Sequence, residues 1–353
     1  SAMGQWCSNG LRATGQDYAG VAAMDGSKKS ARESSRLLDG AVFEFDFGDR
    51  GENALGSCVC TQRVFMNQVL EDLLSVLQPR QVEDDHFIGE SRDLGFMQVF
   101  GGQVLGQALN AACRTVDQGW LPHSLHAYFL RPGASDQPIL FEVDRIRDGR
   151  SFVTRRVVAR QRRKAIFNLA ASFHVPERGF EHQHRLPDVP GPEGIRSESE
   201  RMRDIMDRLP ERLKQAWLRQ RPVEIRVVDP PSMLYPEPRD PIRHAWMRVS
   251  GPLPEDPVLH HCLLAYASDF QLLGTCLQPH GKTFMSQDMK VASLDHALWF
   301  HRPFRFDDWL LYAMDSPSAA GGRGFNRGSF FDNRGTLVAS VAQEALIRRR
   351  EDT

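Results

Sequence analysis

The sequence predicts an α+β fold of two tandem units, each with a central helix wrapped by a curved antiparallel sheet. Three observations predict this class. An internal repeat relates the two halves, each half opens with an uncharged helical segment, and strand-like runs follow each of these segments. A length of 353 residues also favours two domains, because single hydrophobic cores seldom grow that large.

The composition argues against several classes of protein. Lys and Arg number 44 against 45 Asp and Glu, which favours neither a nucleic-acid binder with a broad basic field nor a polybasic membrane anchor. No run of about 18 apolar residues occurs in the sequence, so we expect no membrane span. The cysteines number 6, too few for a disulfide scaffold, and several lie in apolar, helix-like text. We therefore expect a reducing compartment and a cytoplasmic protein.

The first 65 residues differ from the rest. They mix Gly, Ser, Ala and charge without a sustained period, so we expect residues 1–65 to be a poorly ordered extension, natural or introduced upstream of the folded unit. Apolar residues from Val69 to Leu77 then recur at helical spacing, and Pro79 ends this helix. We place the first unit at 66–180.

The central helix of the first unit is predicted over 100–113, FGGQVLGQALNAAC. A helix without a polar face is typical of a buried position. Alternation and β-branched residues then predict four strands, at 123–131, 138–147, 151–161 and 164–174.

A linker with a helix is predicted at 181–225. Its start is rich in Pro and Gly, and residues 199–217 show helical register. The second unit, 226–350, repeats the outline of the first. Its uncharged helix is predicted over 258–277, and its strands are predicted at 289–301, 308–316, 322–332 and 335–347.

The repeat is visible in the text itself. Residues 125–132 read LHAYFLRP and residues 296–303 read HALWFHRP. At an offset of 171 residues, Phe129 matches Phe300 and Arg131 matches Arg302. Later matches keep their order, as equivalent strands with different loop lengths would. Two such units in one chain can pair as a pseudo-dimer.

Two polar residues stand out against apolar surroundings. Asp269 is the only Asp, Glu, Lys or Arg within 258–281, and a desolvated carboxylate costs several kcal/mol unless it has partners. Gln343 shares a strand face with Val341 and Ala345, where an amide needs hydrogen-bond partners. Each pattern fits a purely structural role equally well: a loop-capping Asp, or an edge-strand Gln that reaches solvent. Pattern alone does not select Ser293.

Several catalytic motifs do not occur in the sequence. It contains no G-x-S-x-G elbow, which disfavours an α/β-hydrolase, and no phosphate-binding loop, dinucleotide fingerprint or H-E-x-x-H helix.

Long segments of both halves resemble the acyl-CoA thioesterase II family, the TesB-type double hot-dog enzymes. They include DLGFMQVFGGQVLGQAL, SLHAYFLRPG, LLAYASDF, SLDHALWFHRPF and GTLVASVAQE, between Met66 and about Arg349. The resemblance implies a double hot-dog fold and hydrolysis of fatty acyl-CoA to free acid and coenzyme A. It implies no metal and no cofactor, since coenzyme A is part of the substrate. We also expect a homo-oligomer.

The resemblance also implies the site residues. It places the catalytic Asp in YASD at Asp269, the catalytic Ser or Thr before LDH at Ser293, and the Gln of AQE at Gln343. At the repeat offset, the first-half partners of Ser293 and Gln343 are Pro122 and Ser172. The catalytic set is therefore expected once per chain, and the first half is expected to supply scaffold and pocket walls.

The expected mechanism is attack by an activated water. Asp269 would act as general base, while Ser293 and Gln343 hold the water and stabilise the tetrahedral intermediate. Gly101 and Gly102, at the start of the first central helix, are candidates to donate backbone N–H groups to the thioester carbonyl, although two glycines also permit close helix–sheet packing. We expect His296 on the opposite strand face, which disfavours an acyl-serine.

Four arginines are candidates for binding the coenzyme A phosphates, with a surface salt bridge as the alternative for each: Arg150, Arg155, Arg302 and Arg323. Two other functions stay open. A hot-dog enoyl-CoA hydratase would carry G-D-x-N-P-x-H, which is not in the sequence. A non-catalytic acyl-CoA-binding module would have no need of the Asp, Ser and Gln set.

Overall fold

The computed structural model describes residues 36–38, 41–43, 68–94, 98–209, 211, 214–215 and 221–350. The chain divides into two compact units, Ser1–Phe65 and Met66–Thr353. In the first unit, β1 (Arg36–Leu38) and β2 (Ala41–Phe43) form an antiparallel pair. Apart from these strands, the expectation of poor order over 1–65 lies outside the described residues.

The second unit contains two halves with the repeated outline that the sequence predicts. The first half consists of α1 (Gln68–Leu77), β3 (Arg80–Glu83), β4 (His86–Gly89), α2 (Gly101–Cys113), β5 (Leu121–Phe129), β6 (Ile139–Asp148), β7 (Phe152–Gln161) and β8 (Lys164–His174). The linker and second half consist of α3 (Glu198–Asp204), a 3-10 helix (Met206–Arg208), β9 (Val223–Val228), β10 (Ile242–Val249), α4 (Pro257–Ser268), α5 (Leu272–Thr275), a 3-10 helix (Gln278–His280), β11 (Met289–Ser293), β12 (Asp295–Phe300), β13 (Leu310–Ala320), β14 (Arg323–Asp332) and β15 (Leu337–Arg349). Every predicted strand run overlaps an observed strand.

The strands of the second unit form one 13-stranded sheet. Its order is β3-β4-β6-β7-β8-β5-β12-β15-β14-β13-β10-β9, and β11 pairs with β15 beside β12. The halves meet where β5 pairs with β12 in antiparallel register, with Leu125 opposite Leu298. The predicted α+β double hot-dog architecture is confirmed.

Helices α2 and α4 lie in the core and pack against each other. Every residue of α2 from Gly102 to Cys113 is buried, and α4 is buried from Leu259 to Ser268. This burial explains why neither helix has a polar face. The two backbones approach closely, because a Cβ on Gly102 would lie 2.2 Å from the Tyr266 carbonyl oxygen. Among the described helices, none is long and apolar enough to cross a bilayer.

The helix predicted over 258–277 is wrong beyond Ser268. Asp269 is the C-cap of α4, and Gln271 has a φ of 68°, a left-handed conformation that ends the helix. The Tyr312 hydroxyl donates a 2.9 Å hydrogen bond to the Ser268 carbonyl, one of the acceptors left without an intrahelical partner at a helix end. The chain then turns before α5, so tertiary contacts override a continuous apolar pattern.

The linker also departs from its predicted extent. The helix expected over 199–217 is interrupted at Ile205, whose φ of −112° is not helical, and a 3-10 turn follows. Residues 210, 212–213 and 216–220 lie outside the described ranges. Strand β9 begins at Val223, before the boundary predicted at 226, and pairs with β10.

Candidate active site

A cavity of about 720 Å³ opens beside the N-terminus of α2 and the C-terminus of α4. Gly101, Asp269 and Ser293 all line it. These residues come from α2, the end of α4 and β11, so both halves of the molecule contribute to one site. Asp269 and Ser293 are half-buried.

The Asp269 carboxylate is held by donors from both halves. Its Oδ2 accepts the Gly102 N–H of α2 at 2.9 Å, and its Oδ1 accepts Nε2 of Gln343 from β15 at 2.8 Å. The carboxylate therefore caps α2, whose own N-cap residue, Phe100, offers no side-chain hydrogen bond. The positive end of the α2 dipole favours an anion at this position.

Ser293 faces the same carboxylate. Its Oγ lies 3.5 Å from Asp269 Oδ1, at the outer limit of a hydrogen bond. Catalytic hydrogen bonds are often long in unliganded sites and shorten when substrate binds. The structure thus brings together the three side chains that the resemblance places in the site.

Gln343 is fully buried, so it does not occupy the solvent-reaching edge position left open by its sequence pattern. Its Nε2 also contacts His296 Nδ1 at 3.1 Å, and its strand lies between β12 and β14. Both N–H groups of the amide are thereby used, one on the Asp269 carboxylate and one on the imidazole.

His296 does not lie on the opposite strand face, so that prediction is wrong. Ser293 pairs with Ala345 whereas Ala297 pairs with Ala342, which leaves one extra residue, Leu294, between β11 and β12. Such a bulge reverses the alternation of side chains. Ser293 and His296 therefore both turn towards the helices, although three positions separate them.

The protonation of His296 follows from its surroundings. Complete burial lowers the pKa of His296 to about 4, although the Asp269 charge partly opposes this shift. The neutral ring has one N–H. Ser268 Oγ donates to the Ala265 carbonyl at 2.9 Å, so it accepts from His296 Nε2 at 2.8 Å. Nδ1 is then the acceptor that Gln343 requires.

The two candidate glycines have different roles in the structure. The N–H of Gly102 is taken by Asp269, which departs from the expectation that both glycines face the substrate. Gly101 lines the cavity, and within the described part of the chain its N–H has no acceptor. A Cβ on Gly101 would lie 2.7 Å from Asp269 Oδ2 and 2.9 Å from the Phe129 ring, so this position requires Gly.

None of the four arginines singled out from the sequence lines the cavity. Arg155 is fully buried and bonds to Thr115 and Asp148, a structural role. Arg323 bonds to Glu344, and Arg302 to the Leu337 carbonyl. Arg150 is exposed. In the described ranges, no group of three or more His, Cys, Asp and Glu side chains is placed to hold a metal ion.

Comparison with known proteins shows the family to which the chain belongs. A family model described as "Acyl-CoA thioesterase" matches residues 230–346, and one described as "Acyl-CoA thioesterase N-terminal domain" matches residues 91–174. The chain is 42% identical over 288 residues to "Acyl-CoA thioesterase 2" of Haemophilus influenzae, which covers 81% of this chain and 100% of that protein. The chain belongs to the acyl-CoA thioesterase II family.

Other members of the acyl-CoA thioesterase II family and related thioesterases are similar over the same part of the chain. "Acyl-coenzyme A thioesterase 8" of Mus musculus is 39% identical over 284 residues, 78% of this chain and 88% of that protein. The crystal structure of an acyl-CoA thioesterase II, TesB2, from Mycobacterium marinum superposes with a TM-score of 0.66 at 40% identity, covering 80% of this chain and all of that one. The family consists of thioester hydrolases, which disfavours the hydratase alternative.

Proposed function

We propose that the protein hydrolyses fatty acyl-CoA thioesters to free fatty acid and coenzyme A, through a water activated by Asp269. One observation carries the proposal: a half-buried carboxylate reaches a large cavity while donors from both halves of the molecule fix its orientation. The names of the relatives support thioester hydrolysis as the reaction.

Asp269 is the group that would accept a proton from the water. An ionised carboxylate offers about four lone-pair sites, and three of them face donors from Gly102, Gln343 and Ser293. The remaining site is free to accept a proton of a water in the cavity. That water oxygen attacks the thioester carbonyl carbon, the C–S bond of the intermediate breaks, and the departing thiolate takes up the proton held by Asp269.

The N-terminus of α2 would stabilise the oxyanion. The N–H of Gly101 lies at the cavity wall, at the positive end of a helix dipole. Ser293 Oγ provides a second donor from β11 once it turns from Asp269 towards the substrate. Gly102 has a different function, because its N–H positions the base.

An acyl-serine intermediate has less support. His296 contacts Gln343 and Ser268, and no imidazole contacts Ser293 among the described residues. Ser293 therefore lacks an adjacent imidazole to activate it as a nucleophile, and its carboxylate neighbour Asp269 is the group that the proposal assigns to the water.

The test is the Asp269→Asn variant, assayed by thiol release from a medium-chain acyl-CoA. Asn has nearly the same shape as Asp and its Oδ1 can still accept the Gly102 N–H, so we expect the fold to survive the loss of the Gln343 hydrogen bond. Loss of the general base should lower turnover by about 10²- to 10⁴-fold. Unchanged thermal unfolding is the control. Near-normal turnover, or loss of enoyl absorbance without thiol release from an enoyl-CoA, would contradict the proposal.

Two expectations from the sequence belong to the same proposal. We infer a cytoplasmic location from the cysteine usage, and a homo-oligomer as the working assembly. Light scattering coupled to size-exclusion chromatography measures the second directly, and a monomeric mass at working concentrations would reject it.

A further inference from the structure

The cavity that contains Asp269 has a second set of charged groups, supplied mainly by the linker. Arg201 of α3, Arg208 of the following 3-10 helix, Arg221 before β9 and Arg243 of β10 all line it. Arg196 lines it too, but forms a direct ion pair with Asp204.

Three of these arginines, Arg201, Arg221 and Arg243, are cationic and partly removed from water. Burial lowers the pKa of Arg201 and Arg221, and lowers that of Arg243 to about 10. The guanidinium group of arginine nevertheless stays protonated in proteins near neutral pH. Glu198, at the start of α3, is the carboxylate that attracts each of them. Glu198 thus acts on three guanidinium groups, and Asp204 also attracts Arg201.

The direct partners of two of these arginines are neutral. Arg243 donates to the side-chain oxygens of Gln271 and Gln278, and Arg201 donates to the Pro231 carbonyl. Within the described residues neither forms a direct ion pair. Half-buried cations without adjacent anions are costly, and such sites are stabilised when an anionic ligand binds.

The arginines that line the cavity are connected to the turn that follows Asp269. Gln271, two residues after Asp269, donates from Nε2 to Glu198 at 3.0 Å and accepts from Arg243 at 3.0 Å. Gln271 has a positive φ, a strained conformation for a residue other than Gly. Its hydrogen bonds to Glu198 and Arg243 hold it in place. The substrate carbonyl beside Asp269 and an anion beside the arginines would therefore occupy one continuous site.

We propose that Arg201, Arg208 and Arg221 bind the phosphate groups of the coenzyme A moiety. This inference rests on the proposed function and names the part of the substrate that the linker recognises. The guanidinium group matches phosphate oxygens in charge and in bidentate geometry. Apolar cavity residues such as Val99, Phe270 and Val291 leave room for the acyl chain in the same cavity.

The experiment compares substrates with and without phosphates. Thiol release is measured for a medium-chain acyl-CoA and for the S-acyl-pantetheine with the same chain, using wild type, R201Q, R208Q and the double variant. Arg203→Gln is the matched control, because Arg203 lies on the same helix, is exposed and does not line the cavity.

We expect the double variant to raise KM for acyl-CoA by about tenfold or more, with kcat little changed. KM for S-acyl-pantetheine should not move, and R203Q should behave as wild type with both substrates. Equal changes for both substrates would overturn the inference, because the arginines would then act on something other than phosphate.

Calorimetric binding of coenzyme A and of pantetheine separates this inference from the reaction itself. Wild type should bind coenzyme A at least about tenfold more tightly, and R208Q, at an exposed position, should reduce that preference even if R201Q fails to fold. Equal binding of the two ligands would overturn the phosphate assignment. Normal binding without thiol release would instead reject the proposed hydrolysis and leave the phosphate assignment supported.

Discussion

The Asp269 carboxylate and the His296 imidazole belong to one hydrogen-bonded chain. Gln343 bridges them, and the Ser268 hydroxyl fixes the far side of the ring. Each proton in this chain has a defined place, because the buried ring is neutral and Ser268 donates to a backbone carbonyl. The orientation of the Gln343 amide beside Asp269 therefore depends on His296, which is buried and does not line the cavity.

Replacement of His296 should affect positioning more than binding. In His296→Leu the Gln343 amide loses an acceptor, and we expect kcat to fall about tenfold with KM little changed, the size of one lost hydrogen bond. His296→Asn should retain most of the activity, since its Oδ1 can replace Nδ1. Steady-state kinetics on acyl-CoA make the comparison. If His296→Leu keeps the wild-type kcat, the ring has no positioning role.

At the scale of elements, the close packing of α2 against α4 makes the site possible. The two helices come from different halves, and their backbones meet at Gly102 and Gly106. This approach places the N-terminus of α2 against the C-cap of α4, where Asp269 lies. The break after Ser268 turns the carboxylate towards α2 rather than along a continued helix.

Gly102→Ala should separate the helices. The new methyl group would lie 2.2 Å from the Tyr266 carbonyl oxygen and 2.5 Å from the Phe100 ring, and a backbone atom cannot yield as a side chain can. We expect the free energy of unfolding to drop by about 3 kcal/mol, measured by urea denaturation. Gly179→Ala, where no atom lies within 4 Å of the added carbon, is the control. Equal stability of the two variants would show that the contact is not tight.

At the scale of the whole second unit, one sheet continues across both halves and encloses buried histidines. His261 on α4 packs against Phe300 of β12, and His296 of β12 contacts Gln343 of β15. Burial lowers the pKa of each to about 4, against an ordinary value of 6.5. The folded state therefore binds fewer protons than the unfolded chain between these pH values.

Stability should consequently fall as the pH falls from about 6.5 to about 4. Above pH 6.5 both states hold neutral rings, and below it only the unfolded chain gains the protons, so each ring removes about 3 kcal/mol by pH 4. Calorimetric Tm values between pH 7 and 4.5 measure the effect. His261→Phe should reduce the slope by the share that His261 contributes. A Tm that is constant over this range would contradict the assigned protonation states.

The sequence alone determined the architecture, because periodicity and the repeat record which faces are buried. Apolar text without a polar face predicted α2 and α4, and the offset of the halves predicted their pairing. It also marked Asp269 and Gln343 as polar groups in apolar surroundings. Ser293 came from the resemblance.

Only the tertiary structure decided the helix break at Asp269, the bulge that turns His296 inward and the arginines along the cavity. The break depends on Gln271 and Tyr312, whose partners are distant in the chain. A bulge of one residue is invisible to a pattern that assumes strict alternation. The linker arginines, such as Arg201, lie in a charged segment whose sequence predicts a solvated surface. Only the fold places that segment over the cavity. The local sequence pattern shows which residues are buried, whereas the position of one segment relative to another depends on contacts between residues distant in the chain.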